Sequence, residues 1–308
     1  MRVAAIDIGT NTTRLIVADI DIDAGALHEL ERRTAITRLG EGVDESGRLA
    51  TDAIGRVHEK LAEYRTLIDV HKPDSVLTVA TSAVRDASNG EQFLAEIEHR
   101  FGTPTKLLSG EEEALLAFRG TTYGRKLSGR VLVVDIGGGS TELVLGDERG
   151  PSFHASLDVG AVRLSERFLH ADPPIEEELA RCAEAVRALI DEQVPTDLLR
   201  SPEAAIGNAG TVTTIAALAQ NLPAYERERV HGYRISREAV EAQLARLASL
   251  PLAERRKIPA LEPERAPVIV GGAIILRELL DAFSLAEIEA SELDILDGAA
   301  LLASDLAT

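Results

Sequence analysis

The chain has little sulfur, few aromatic rings and no long uninterrupted hydrophobic run. A single cysteine, Cys182, excludes an intramolecular disulfide and a metal site built from several thiolates. Aromatic residues make up 3% of the sequence and tryptophan is absent, so binding of nucleobases by aromatic stacking is not expected. Asp7, Asn11 and Arg14 interrupt the apolar N-terminal stretch before it reaches the length of a signal or membrane segment. We therefore expect a soluble cytoplasmic protein with no membrane partner.

Basic residues are scarce relative to acidic ones. The sequence has 33 lysines and arginines against 51 aspartates and glutamates, and its net charge is −18. This excess of negative charge argues against a nucleic-acid partner. It would also repel a polyanionic ligand, so such a ligand requires a divalent metal ion and a local group of basic residues. With 308 residues, the chain is long enough for two domains that each bury a core.

Two segments repeat one pattern: an apolar strand, an aspartate, a turn of glycine and hydroxyl residues, and a second apolar strand. Residues 4–17 read AAIDIGTNTTRLIV and residues 132–145 read LVVDIGGGSTELVL, which aligns Asp7 with Asp135. Each copy predicts a β-hairpin whose turn offers backbone N–H groups, hydroxyls and one carboxylate. Such a turn suits a phosphate chain together with its magnesium ion.

The two turns differ in the residue that follows them, because Glu142 of the second copy is replaced by Arg14 in the first. Asp135 and Glu142 together offer hard carboxylate oxygens, and one or two carboxylates with phosphate oxygens are enough to bind Mg²⁺. The first turn is expected to hold phosphate with Asn11, Thr12 and Arg14. A turn cap at the end of a strand is the alternative interpretation of either aspartate taken alone.

The remaining sequence predicts strands alternating with helices, which indicates α/β domains with mixed sheets. Helices are predicted at 51–71, 90–101, 110–121, 175–193, 211–220, 237–248, 267–282 and 295–306. Strands are predicted at 2–8, 13–20, 27–38, 76–80, 105–107, 130–135, 141–146, 152–157, 160–164, 204–207 and 286–290. Glycine and serine break the pattern at 122–129, so the expected domains are 1–124 and 125–308. The alternative that the C-terminal helix 296–308 packs on the first domain and completes it stays open.

The helix predicted from about residue 110 opens with three consecutive glutamates. Ser109 and Glu112 match the S-x-x-E capping box, which gives Glu112 a structural role. Glu113 shares its helix face with the small residues Ala117 and Gly120, so its carboxylate can face a cleft. Near a helix N-terminus it is expected to stay ionised, as a general base for water must be. A charge that merely complements the helix dipole is the alternative.

Two further segments suit an anion. Arg85 follows the strand 76–80 in the run ATSAVR, and an arginine with hydroxyls at the carboxyl end of a strand suits phosphate. Gly210 and Thr211 lie in a glycine-rich turn between a strand and a helix, whose amides can receive an anion. A surface salt bridge and tight packing are the respective alternatives. Gly271–Gly272, inside an apolar helical run, indicates a close helix contact.

Together these segments resemble the exopolyphosphatase/guanosine pentaphosphate phosphohydrolase family of the actin–hexokinase–Hsp70 superfamily, over nearly the whole chain. The matching motifs are DIGTNT at 7–12, ATSAVRDA at 80–87, SGEEEA at 109–114, DIGGGSTE at 135–142 and GTVTT at 210–214. So many motifs in order are highly specific, whereas any single glycine turn is not. The resemblance implies two ribonuclease-H-like (actin-like ATPase) domains with mixed sheets and an active site in the cleft between them.

The resemblance also implies roles for single residues. Glu113 matches the catalytic glutamate, which would activate the attacking water. Asp135 and Glu142 match metal-binding acids, and Asp7 is the equivalent acid of the first turn; Mg²⁺ is the expected metal and Mn²⁺ its alternative. The matched phosphate-binding positions are Asn11, Thr12, Arg85, Gly138, Gly139 and Ser140. The turn residues Gly9, Gly210 and Thr211 are added to that set.

The expected activity is metal-dependent release of terminal orthophosphate from inorganic polyphosphate. Longer family members carry C-terminal helical domains related to HD phosphohydrolases, which help hold long chains. This sequence stops at Thr308 without them, so short chains are the expected substrates. Hydrolysis of pppGpp to ppGpp is the nearest alternative, followed by a non-catalytic alarmone-binding sensor and an ATP-dependent kinase of the same superfamily. Because family members often dimerise, a homodimer is also considered.

Overall fold

The computed structural model describes residues 1–22 and 24–307. The chain divides into two compact units: unit 1 comprises Met1–Lys126 and the chain from Leu293 onward, and unit 2 comprises Leu127–Glu292. The sequence places this division after Gly124. Within the described residues, no helix combines the length and the apolar character needed to cross a membrane.

Unit 1 is built on a five-stranded sheet in the order β3-β2-β1-β4-β5. The strands are β1 (Arg2–Ile8), β2 (Thr12–Asp21), β3 (Ala26–Ile36), β4 (Ser75–Ala80) and β5 (Thr105–Leu107). The first three are antiparallel neighbours, and β4 and β5 continue the sheet parallel to β1. The helices between these strands are α1 (Val43–Ser46), α2 (Thr51–His71), α3 (Ser82–Asp86), α4 (Gly90–Phe101) and, after β5, α5 (Gly110–Thr122).

Unit 2 is built on a six-stranded sheet in the order β10-β11-β9-β6-β7-β8. The strands are β6 (Val131–Ile136), β7 (Thr141–Asp147), β8 (Gly150–Leu157), β9 (Ala204–Asn208), β10 (Arg234–Ser236) and β11 (Glu287–Ala290). Strands β6, β7 and β8 are antiparallel neighbours, and β9 runs parallel to β6. The helices are α6 (Ala161–Phe168), α7 (Glu176–Gln193), α8 (Ala209–Ala219), α9 (Arg227–Val230), α10 (Arg237–Ala248), α11 (Leu252–Arg255) and α12 (Ile269–Ala282). The predicted α/β class with two mixed sheets is confirmed.

The chain's last helix, α13 (Ile295–Asp305), lies in unit 1. Alternate side chains of the central strands point to opposite faces of the sheet, so one face packs on α2 and α4 and the other on α5 and α13. Two glycines allow α5 and α13 to approach closely. A Cβ atom at Gly120 would lie 1.9 Å from the Asp294 carbonyl oxygen, and one at Gly298 would lie 2.1 Å from that of Leu116.

The strand predicted at 160–164 is wrong, because these residues begin helix α6. The apolar run Val159–Val162 reads as a short strand, and short apolar runs do not by themselves distinguish strand from helix. In the structure Ala161, Val162, Leu164 and Ser165 form the buried face of the helix. Short elements were also missed, since β10, α1 and α3 lie where no strand or helix is predicted.

Candidate active site

Both predicted hairpins are present, and each turn contains an equivalent backbone hydrogen bond. The amide of Gly9 donates to the carbonyl of Thr12 at 2.9 Å, and the amide of Gly137 donates to the carbonyl of Ser140 at 3.0 Å. The first turn joins β1 to β2 and the second joins β6 to β7. The internal repeat of the sequence is therefore also a repeat of backbone geometry.

In the first turn, the carbonyl groups of two consecutive residues accept hydrogen bonds from a neighbouring segment of the chain. The carbonyl oxygens of Thr10 and Asn11 accept bonds of 2.8 to 3.0 Å from amides of the segment 37–40, which follows β3. These peptide bonds are trans, so each carbonyl and the amide of the next residue point in opposite directions. The amides of Asn11 and Thr12 therefore point away from 37–40. These are two of the predicted phosphate-binding residues.

The second turn is held in the same way by the element that follows β8. The carbonyl oxygens of Gly137 and Gly138 accept bonds of 2.8 to 3.1 Å from the first three backbone amides of α6. Helix N-terminal amides have no partner within their own helix, and here the turn supplies it. By the same peptide geometry, the amides of Gly138 and Gly139 point away from α6. Both residues are predicted to bind phosphate.

Two buried carboxylates stand beside the second turn. Asp135 on β6 lies directly opposite Glu142 on β7, and the two residues are only 6% and 2% exposed. Ser156 donates its hydroxyl to Glu142 Oε1 at 2.8 Å. Among residues 1–22 and 24–307, no cluster of three or more His, Cys, Asp or Glu side chains has metal-binding geometry. This pair nevertheless fits Mg²⁺, which commonly takes one or two protein carboxylates and completes its shell with water and phosphate oxygens.

Asp7, the equivalent acid of the first turn, is 2% exposed and lies opposite Arg14 in the sheet. Its Oδ2 accepts bonds from Arg14 Nε at 2.9 Å and Nη2 at 2.7 Å. Its Oδ1 is buried and meets no hydrogen-bonding group of the described residues. Burial raises the pKa of Asp7, and the charge of Arg14 opposes that rise. One carboxylate oxygen is thus anchored and the other remains available to a ligand.

Arg14, which is predicted to hold phosphate, pairs with protein carboxylates in the structure. Its guanidinium bridges two carboxylates, because Nη1 also pairs with Asp294 at the N-terminus of α13. Asp294 Oδ1 also accepts a hydrogen bond from the backbone amide of Leu296 at 2.8 Å. Sequence reasoning missed Asp294, since 280 residues separate it from Arg14 and no local motif marks the contact.

Glu113 and Arg85, which were predicted from separate motifs, lie together in unit 1. Arg85 Nη1 donates to Glu113 Oε2 at 3.2 Å and to the carbonyl of Leu108 at 2.9 Å. The predicted capping box of Ser109 and Glu112 is present and starts α5. Glu113 therefore lies in the first helical turn, with 8% of its surface exposed.

Burial raises the pKa of Glu113 to about 7, and the nearby charge of Asp7 adds to the rise while Arg85 opposes it. The expectation that the helix N-terminus keeps this carboxyl ionised is therefore wrong at slightly acidic pH. Loss of hydration disfavours the charged form by more than Arg85 and the hydrogen bond from Thr81 favour it. A carboxylate with a pKa near neutrality is well suited to accept a proton from water.

We expect the rate of any reaction that uses Glu113 as a base to fall as the pH drops below about 7. Only the ionised carboxylate can accept a proton, so kcat/KM, which reports the pKa of the free enzyme, should fall by about tenfold per pH unit well below that pKa. The measurement is the pH profile of kcat/KM at saturating metal. A profile that declines only around the ordinary glutamate pKa of 4.5 would contradict the assignment.

The glycine-rich turn at Gly210 and Thr211 follows β9, whose last residue, Asn208, lies beside Asp135 in the sheet. Both turn residues lie in the first turn of α8. The structure adds a cation that the sequence does not predict. A Cβ atom at Gly210 would lie 1.7 Å from a guanidinium nitrogen of Arg265, so this arginine packs directly on the turn.

The profile of the Ppx/GppA phosphatase family matches residues 16–301 of the sequence. The chain belongs to the Ppx/GppA phosphatase family. It is 40% identical over 312 residues to exopolyphosphatase 2 of Mycobacterium tuberculosis, an alignment that covers 97% of this chain and 98% of that protein.

Solved structures agree with this membership. The crystal structure of an exopolyphosphatase-like protein superimposes with a TM-score of 0.93 at 34% identity, over 99% of this chain and 100% of the other. The Ppx/GppA family member of Aquifex aeolicus gives a TM-score of 0.82 at 36% identity, over 99% and 97%. The two units are therefore ribonuclease-H-like domains of the actin-like ATPase fold, as the resemblance implied, and the protein is an enzyme of this phosphatase family.

Proposed function

We propose that this Ppx/GppA protein is an exopolyphosphatase, which hydrolyses the terminal phosphoanhydride bond of inorganic polyphosphate. The 40% identity to a protein named exopolyphosphatase 2 supports the substrate class. The observation that carries the reaction is the buried carboxyl of Glu113, which accepts a hydrogen bond from Arg85 and has its pKa raised to about 7. Such a carboxylate is a suitable general base for a hydrolytic water at neutral pH.

In the proposed reaction Glu113 orients one water molecule and accepts a proton from it. The water oxygen forms a bond to the terminal phosphorus, and the bridging phosphorus–oxygen bond breaks with its electrons passing to the remaining chain. The products are orthophosphate and a polyphosphate shortened by one unit. Arg85 lies within hydrogen-bonding distance of the base and offers positive charge to the phosphoryl oxygens.

The phosphate oxygens are proposed to bind the outward amides of the two turns. Those amides belong to Asn11 and Thr12 in the first turn and to Gly138 and Gly139 in the second, where the carbonyls on the other side are already held by protein. Fixed amides need no reorientation when an anion binds, which favours both affinity and catalysis. Ser140, Gly210 and Thr211 remain proposed contacts of the same kind, whereas the amide of Gly9, which was also predicted to bind phosphate, already donates to the Thr12 carbonyl.

Asp135 and Glu142 are proposed to hold Mg²⁺, with Mn²⁺ as the alternative to be compared. Bound there, the ion would neutralise phosphate charge, which a protein of net charge −18 otherwise repels. The free oxygen of Asp7 is the further proposed metal ligand of the first turn. The hydrogen bond from Ser156 orients the buried carboxylate of Glu142, and the bond from Arg14 orients that of Asp7.

The test is release of orthophosphate, in the presence of Mg²⁺, from short polyphosphate, long polyphosphate, pppGpp and ATP assayed in parallel. We expect polyphosphate to be the best substrate, and the ratio of the rates on short and long chains measures the chain-length preference. Release mainly from pppGpp would contradict the proposal and favour the alarmone phosphohydrolase. Tight nucleotide binding without release would favour a sensor, and transfer of phosphate from ATP to another acceptor would favour a kinase.

A further inference from the structure

The side chain of Arg163 continues the pattern by which α6 holds the second turn. Its Nε donates to the carbonyl oxygen of Gly139 at 2.8 Å. Since backbone amides of α6 already hold the carbonyls of Gly137 and Gly138, three consecutive carbonyls face this helix. The trans geometry of the next peptide then points the amide of Ser140 away from α6, beside the amides of the two residues before it.

We propose that Arg163 is a positioning residue for phosphate binding, which acts through the Gly139 carbonyl to aim the Ser140 amide at the ligand. The proposal rests on the proposed function, since it presumes that this turn binds the phosphate of the substrate. No motif of the sequence assigns a role to Arg163. Its side chain completes a set of bonds that fixes three successive peptides in one orientation.

Close packing at Gly160 keeps α6 near enough to the turn for this bond to form. A Cβ atom at Gly160 would lie 2.4 Å from the carbonyl carbon of Gly138 and 2.5 Å from the amide nitrogen of Gly139. The backbone at Gly160 is extended, with φ of −143°, which any residue can adopt. Glycine is therefore needed here for space and not for backbone conformation.

Helix α12 also packs closely on α6. A Cβ atom at Gly271 would lie 2.6 Å from Ser165 Oγ and 3.0 Å from the Ala161 carbonyl oxygen, which confirms the predicted close helix contact. Ser165 donates its hydroxyl to that same carbonyl at 2.7 Å. The first turn of α6 thus contacts both the second turn and α12, so a displacement of this helix would disturb both contacts.

The alternative is that Arg163 acts only as a positive charge for the substrate. The two accounts differ for the variant Arg163→Lys, which keeps the charge but lacks the planar guanidinium whose Nε reaches Gly139. If Arg163 positions the turn, lysine should not restore phosphate affinity. If charge alone matters, Arg163→Lys should bind phosphate as the wild type does.

The experiment compares Arg163→Lys and Gly160→Ala with wild type, using pyrophosphate with Mg²⁺ as the probe in calorimetry. We expect each variant to bind the probe roughly tenfold more weakly, because one hydrogen bond to a charged group is lost or misdirected. KM for the substrate should rise more than kcat falls. Gly55→Ala is the matched control, since a Cβ atom at Gly55 meets no atom within 4 Å.

Hydrogen exchange without ligand separates a moved turn from a lost ligand contact. The amides of Ala161 and Val162 donate to the turn carbonyls, and in Gly160→Ala we expect them to exchange about tenfold faster or more than in wild type. Unchanged exchange and affinity in Gly160→Ala, or wild-type affinity in Arg163→Lys, would overturn the proposal. These readouts need no turnover, so an inactive protein would refute the proposed function without refuting the positioning role.

Discussion

Replacing Glu113 by glutamine is expected to lower kcat by about 10²- to 10⁴-fold, the usual contribution of a general base. Glutamine has the same shape as glutamate. Its side-chain oxygen can accept the hydrogen bond that Arg85 Nη1 donates to Glu113 Oε2 at 3.2 Å. The affinity for pyrophosphate with Mg²⁺ should therefore change little while turnover is lost. The measurements are kcat by orthophosphate release and the dissociation constant by calorimetry.

Glu111→Gln is the matched control, because Glu111 occupies the same first turn of α5 but its side chain is exposed. It should retain wild-type kcat. Near-normal kcat in Glu113→Gln would show that another group activates the water. A parallel loss of pyrophosphate binding would show that Glu113 contributes to binding and not specifically to the chemical step.

Thermal stability gives a second readout for the same variant. Because the folded-state pKa of Glu113 is raised to about 7, the folded protein holds this proton more tightly than the unfolded chain does. Wild-type stability should therefore decline as the pH rises from about 4.5 through 7, by roughly 3 kcal/mol at most from this group. Glu113→Gln lacks this loss, so at pH 8 its Tm should be at least as high as that of wild type. Lost turnover in a protein of undiminished stability would exclude misfolding as the cause.

Replacing Asp135 by asparagine is expected to lower kcat/KM by about 100-fold or more at limiting Mg²⁺, because one of two buried carboxylates beside the second turn is neutralised. The concentration of Mg²⁺ that gives half-maximal activity should rise, and excess metal should restore part of the rate. The measurement is a titration of activity with Mg²⁺, repeated with Mn²⁺. Glu142→Gln should give a similar shift, since Glu142 faces Asp135 across the strand pair.

Asp147→Asn is the control for this loss of charge, because Asp147 ends β7 away from the turn and pairs with Arg149. Its metal dependence should match that of wild type. If Asp135→Asn shows an unchanged Mg²⁺ requirement, the metal is held elsewhere and the assignment of the second turn is wrong. Activity of the wild type after complete removal of divalent cations would contradict the need for a metal.

The sequence predicts those parts of the site that depend on local patterns. The repeated strand–turn–strand segments predict both hairpins, and the antiparallel register then places Glu142 opposite Asp135. The S-x-x-E pattern predicts the start of α5 at Ser109, and with it the position of Glu113 in the first helical turn. Each of these features arises from neighbouring residues, so tertiary packing did not need to be known.

Other features depend on packing between distant segments and were missed or misread. Asp294 contacts Arg14 only because α13 lies in unit 1, and no sequence motif near either residue predicts this contact. The pKa of Glu113 is raised by burial, whereas the sequence shows only its favourable place near a helix N-terminus. The segment after Val159 has strand-like composition, yet it forms a helix because its amides bond to the carbonyls of Gly137 and Gly138.

In the proposed reaction, water activated by Glu113 attacks the terminal phosphorus of polyphosphate. The most direct test of this step is hydrolysis of the preferred polyphosphate in water enriched in ¹⁸O, followed by mass analysis of both products. We expect one solvent oxygen in each orthophosphate released, none in the shortened chain, and loss of this product in Glu113→Gln. Label in the shortened chain would place the attack on a different phosphorus, and orthophosphate formed at an undiminished rate by Glu113→Gln would show that Glu113 does not activate the water.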